Sequence, residues 1–188
     1  MLSTLPSPSS ISSLSLEQQF QVLDTLFEPS PELHAITGPV LATHSFASYA
    51  SLADAVRGQL SALSLSQLPM DQQTLMKILG SHPRLGRPPA KATEHLSELS
   101  RKEQANLNAS VAEDQMERLS LLNHEYEEKF PGLRFVTFVN GRNRDVIMEE
   151  MRQRIDRGDK SREIEENIQA MCDIAKDRAR KLQQPSNI

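Results

Sequence analysis

His82 stands immediately before Pro83, in the run Ser-His-Pro-Arg-Leu-Gly-Arg-Pro-Pro from Ser81 to Pro89. An imidazole titrates near neutral pH and suits general acid or base work. Proline biases the residue before it to an extended backbone, so a loop here can present the ring to a cleft. A hydrogen-bonded structural histidine in a turn has the same signature. Glu103 closes Ser100-Arg101-Lys102-Glu103, which is a capping box and is explained by helix initiation alone. The same helix start also offers free backbone N–H groups and a partial positive charge, which favour an anion beside Ser100 and Gln104. Lys176, Arg178, Arg180 and Lys181 cluster near the end of the last helical pattern. Such a cluster complements the helix dipole on a solvated face, with at most one member pointing inward. The fourth feature is Phe135-Val136-Thr137-Phe138-Val139 leading into Asn140-Gly141-Arg142. Its alternative is plain core backbone crossing between helices.

The elements that must position these residues are helical. Ser15 with Gln18 opens a helix carrying Leu16, Phe20, Leu23 and Phe27, which Glu28-Pro29-Ser30-Pro31 interrupts. A short second helix is expected over Pro31 to Ile36, stopping at Gly38-Pro39. Ser48 caps a third, with Leu52, Val56, Leu60 and Leu63 on one stripe, and a fourth holds Leu75, Met76 and Leu79 up to Gly80. Beyond the His82 loop, a long helix from about Val111 carries Met116, Leu119, Leu122, Tyr126 and Phe130 and ends at Pro131-Gly132. The run at Phe135 has β-type composition but no partner strand, and it is expected as a buried extended segment. Two helices follow, one with Ile147, Met151 and Ile155, and one from about Ser161 with Ile164, Ile168, Met171 and Ala175. The expected fold is all-α, a compact single-domain bundle of about seven to eight helices with that one extended segment. Residues 1–14, crowded with Ser and Pro, are expected to be a disordered tail; residues 15–183 form the domain, and 184–188 a C-terminal tail.

Composition narrows the function classes. The 188 residues suit one domain, and a net charge of −4 with mixed signs gives no footprint for nucleic acid. No apolar run approaches the roughly 18–20 residues that cross a bilayer, so no membrane partner is expected. Cys172 is the lone cysteine and reads as a small residue on a buried helix face. No His or Cys spacing resembles a metal site. These features point to the cytoplasm, and the Pro185-Ser186-Asn187-Ile188 end is not a peroxisomal Ser-Lys-Leu-type address, although the peroxisome stays open.

Taken in order, His82-Pro83, Ser100-Arg101-Lys102-Glu103-Gln104 and Phe135 to Arg142 resemble the OHCU decarboxylase family, where OHCU is 2-oxo-4-hydroxy-4-carboxy-5-ureidoimidazoline. Leu26-Phe27-Glu28-Pro29-Ser30-Pro31 and the stretch Leu122 to Phe130 match as well, so the likeness spans about Leu16 to Leu182. The resemblance implies an all-helical enzyme without a cofactor, commonly a homodimer, that converts OHCU to (S)-allantoin in urate breakdown. By position, His82 would be the catalytic acid or base and Glu103 its carboxylate partner. Pro83, Ser100 and Gln104 would line the pocket for an anionic ureidoimidazoline, and Val136, Thr137, Phe138, Val139 and Asn140 would offer backbone groups to the ring. Arg178 would hold the substrate carboxylate. The loop departs from the family's habit, with Arg84 and Arg87 where Asp, Ala and Lys are usual. That departure keeps a second reading open, an inactive relative that binds a ligand or protein through the same helical surface.

Overall fold

Ser15 accepts a hydrogen bond from the Gln18 backbone while the Gln18 side chain returns to Ser15, and this reciprocal cap starts α1, Leu16–Leu26. The computed structural model describes residues 5–86 and 113–183. Within them follow α2 (Pro31–Thr43), α3 (Tyr49–Leu65), α4 (Pro69–Gly80), α5 (Glu113–Lys129), α6 (Arg144–Arg157) and α7 (Lys160–Gln183), with no strand among the described residues. Ser30 and Ser48 cap α2 and α3 by accepting from the third helical N–H, as Asn143 does for α6. The all-α class and the helix order agree with the sequence pattern.

Helices neighbouring in sequence pair as hairpins, α1 with α2, α3 with α4, and α5 with α6. The long α7 packs against α1, α3 and α4. Its buried face holds Ile164, Ile168, Met171, Cys172, Ala175 and Ala179 at helical spacing, and the other helices supply Leu23, Leu26, Leu52, Val56, Leu60, Leu75 and Ile78 to the same core. Burying each of the larger side chains is worth roughly 1.5–3 kcal/mol. At the α4 end, a Cβ added to Gly80 would sit 3.3 Å from the Gly132 carbonyl oxygen. Glycine there lets α4 end directly against the turn that follows α5.

Two expectations are corrected. The second helix does not stop before Gly38-Pro39; α2 continues through both to Thr43. Proline lacks only its own N–H, and continuing the helix keeps Leu41 in the core. Gly38 lies against the Phe20 ring, where a Cβ would be 3.4 Å away, so α1 and α2 approach closely there. The N-terminal stretch expected as a disordered tail is ordered over its described part. Pro8–Ser13 form a 3₁₀ helix against α2. Ile11 is 0% exposed, and the Tyr49 hydroxyl donates to the Pro6 carbonyl at 2.8 Å. Serine-rich composition lowers the driving force for order, but one fully buried isoleucine and a tethered carbonyl supply it locally.

Replacing Ile11 by Ala should therefore lower stability by about 2–5 kcal/mol, as a core truncation does. Urea unfolding followed by circular dichroism measures it, and an unchanged midpoint would return this segment to the tail.

Candidate functional site

The chain leaves α4 through Ser81, whose hydroxyl donates to the Ile78 carbonyl at 2.7 Å, and enters the loop carrying His82. His82 is 7% exposed, and Pro83 is buried behind it. The loop is held to α5 by two fixtures. Asn123 donates through Nδ2 to the Leu85 carbonyl at 2.9 Å, and Glu127 receives the Arg84 guanidinium through both carboxylate oxygens. A paired Arg–carboxylate contact of this kind fixes orientation as well as charge. On the other side, Arg134 Nη1 donates to the His82 carbonyl oxygen at 3.0 Å. The imidazole thus projects from a backbone whose position is set by α4, α5 and the segment after α5.

That segment is the extended run foreseen from the sequence. Leu133, Phe135, Val136 and Thr137 are buried, and residues 133–139 belong to no helix or strand. With no ladder available, side chains satisfy the backbone. Asn167 of α7 accepts from Val136 N at 3.2 Å and donates to the Arg134 carbonyl at 3.1 Å; Arg154 Nη1 donates to the Val136 carbonyl at 3.1 Å. Behind them lies Glu163, 0% exposed, which receives Arg154, Arg157 and the Tyr126 hydroxyl. Arg154 also lies over the Phe135 ring, 4.6 Å from its centroid. Burial works against the charge on Arg154, and the hydrogen bond and field of Glu163 outweigh it and raise its pKa. The Tyr126 phenol is pushed up by burial and by the Glu163 charge, so it stays a donor.

Further along, Arg142 donates to Thr137 Oγ1 and the Phe138 carbonyl, each at 2.6 Å, and pairs with Glu150 of α6. Asn140 and Gly141 take φ of +41° and +75°, and Arg142 N donates to the Val139 carbonyl at 2.8 Å, closing the turn into α6. Arg154 and Arg157 of α6 pair with Glu163 and Glu166 of α7 across the turn between the two helices.

Of the basic cluster, only Arg178 turns inward. It is 0% exposed, its Nη2 pairs with Glu28 at 2.9 Å, and its Nη1 lies 3.3 Å from the Leu26 and Phe27 carbonyl oxygens at the end of α1. Lys176 reaches Asp54 of α3, and Arg180 and Lys181 reach Asp177. His34 stacks on Phe20 and bonds Asp24, a packing role. Cys172 is enclosed, and burial pushes its thiol up to about 12, which removes it as a nucleophile. Glu103, Ser100, Gln104 and His95 lie outside the described residues.

A cleft of about 970 Å³ opens between α5 and α6, lined by Arg118, Leu121, Glu125, Val146, Glu149 and Arg152 among others. None of His82, Pro83, Val136 to Asn140 or Arg178 lines it. Its charges are mixed and largely paired, as in Arg152 with Glu125. Among the described residues no group of three His, Cys, Asp or Glu side chains could hold a metal ion, and no helix is long and apolar enough to cross a membrane.

Sequence reasoning missed Arg134, Glu28 and the Glu163–Arg154–Asn167 group. Glu28 sat inside a matched motif. Glu163 and Asn167 sit four apart within one helix pattern, on the face that also carries Ile164 and Ile168. Polar residues on an apolar stripe are the signal that could have found them.

An all-helical bundle presenting a nearly buried loop imidazole beside a side-chain-supported extended segment is the class that fold and site define. The chain belongs to the OHCU decarboxylase family, whose model matches residues 12–180 of the 188. No curated protein matches it.

Glu163→Gln should leave Arg154 under-compensated in the interior and cost about 3–5 kcal/mol. Chemical denaturation reads this directly. Cys172 should react with iodoacetamide only at the rate of global unfolding, so fast alkylation of the native protein would contradict its enclosure.

Proposed function

We propose that the protein is a carboxy-lyase that converts OHCU to (S)-allantoin in purine breakdown. The observation that carries this is His82, its carbonyl held by Arg134 in a loop that Asn123 anchors at Leu85, in a chain of the OHCU decarboxylase family. In the reaction the bond from the ring carbon to the carboxylate breaks and carbon dioxide leaves. The electron pair enters the imidazoline ring, the 4-hydroxyl proton is removed as a carbonyl forms, and one face of the neighbouring carbon is protonated. Ring charge of this sort needs oriented donors at the place where it develops, and a positioned acid or base to move the protons. His82 and Glu103 share the proton transfers. Pro83, Ser100 and Gln104 line the pocket, and the backbone of Val136, Thr137, Phe138, Val139 and Asn140 addresses the ring. Arg178 holds the substrate carboxylate with a guanidinium oriented by Glu28. No step calls on a metal or organic cofactor. The proposal also includes a cytoplasmic homodimer, with no nucleic-acid or membrane partner.

The loop that departs from the family's pattern bears on substrate choice. Arg84 is engaged by Glu127 on the α5 side. This supports an unchanged charge requirement at the cleft and favours the enzyme over a binding relative; Arg87 lies outside the described residues.

OHCU generated in place from urate should decay faster with the protein present, giving one allantoin enantiomer by optical rotation. His82→Ala and Glu103→Gln should each slow this by about 10²–10⁴-fold, the range for a positioned acid or base. Near-normal turnover by either folded variant would remove that residue from its role.

A further inference from the structure

We propose that Arg134 is a positioning residue for His82, acting through the peptide bond rather than on the substrate. The inference rests on the decarboxylase reading for its kinetic consequence, though not for its structural one. Pro83 contributes no N–H, so the His82–Pro83 peptide has one polar handle, the His82 carbonyl. Arg134 Nη1 takes that handle at 3.0 Å, across fifty-two residues of sequence. A carbonyl held in direction fixes ψ of His82, and proline already disfavours the helical well there. The backbone freedom that would swing the imidazole is thereby removed from both sides.

Arg134 is itself held. Its carbonyl accepts from Asn167 Nδ2 at 3.1 Å, and Leu133 N donates to the Phe130 carbonyl at 3.0 Å, fixing the turn before it. Asn167 in turn is bonded by Arg154 and donates to the Tyr126 hydroxyl. A continuous line therefore runs from the buried face of α7 through Asn167 and Arg134 to the His82 peptide. The Arg134 side chain links the extended segment to the loop that carries His82, so the two halves of the proposed site share a common reference.

The test compares Arg134→Met, which keeps the stem and loses the donor, with Arg134→Lys, which keeps a cationic donor. Steady-state kinetics on OHCU are paired with thermal melting and with ¹H–¹⁵N spectra of the imidazoles, His82 being assigned from His82→Gln. Arg134→Met should lower kcat by about ten- to a hundred-fold, the range for a misplaced catalytic group, with KM little changed. The His82 ring resonances should shift or broaden, and Arg134→Lys should recover part of both. Wild-type kcat with unaltered His82 resonances in Arg134→Met would overturn the proposal, as would a lower melting temperature accompanied by neither change. If the wild-type protein leaves OHCU decay unaffected, the decarboxylase reading fails, and the ring resonances of the two variants still decide whether Arg134 sets His82.

Discussion

The rest of the structure depends on one buried carboxylate. Glu163 sits wholly out of water with Arg154, Arg157 and Tyr126 directed at it. Desolvating that charge is costly, and the cost is tolerable only because three donors converge on it. Their convergence fixes the relation of α5, α6 and α7, since Tyr126, Arg154 and Glu163 come one from each. Arg154, so placed, has donors left for the Val136 carbonyl and Asn167. An electrostatic constraint in the core is thus what gives a strand-like segment a stable place in a protein where no strand is described.

The segment in turn explains how a helical bundle can build a polar site. Helices satisfy their own backbone and show a ligand little but side chains; an extended run has main-chain groups to offer. Here some of those groups are consumed by Asn167, Arg154 and Arg142, which set the register, while the turn at Asn140-Gly141 carries the chain out to α6. At the other end of α7, Arg178 reaches the Leu26 carbonyl at the end of α1 and pairs with Glu28 just beyond it. A single helix therefore connects the proposed carboxylate-binding end to the side chains that hold the extended segment.

Helix positions were legible because caps and apolar spacing are local. Ser15 with Gln18 and Ser48 mark starts that the structure reproduces, and the lack of a partner strand made Phe135 to Val139 readable as extended core. The failures have physical causes. Pro39 looks like a stop, but it forfeits one hydrogen bond that the packing of α2 offsets. Ile11 is a lone apolar residue among serines, without a period to announce it, and its burial depends on helices still to come in the chain. At the site, His82 was visible from its neighbour Pro83. Arg134 and Asn167 were not, because a side chain that bonds distant backbone leaves no mark in local spacing. Spacing left open which member of the basic cluster turns inward and the family resemblance alone marked Arg178, because the Glu28 that meets it is 150 residues away.

The β-rich run from Phe135 to Val139 has a consequence outside catalysis. Five residues of Phe, Val and Thr without charge or proline are the kind of segment that stacks between chains when exposed. In most proteins such a run is neutralised by neighbouring strands that occupy its backbone. Here the occupants are the side chains of Asn167 and Arg154, so α6 and α7 act as its chaperone within the molecule. Loosening those two helices would cost more than local order, because it would release an adhesive stretch able to seed intermolecular sheet.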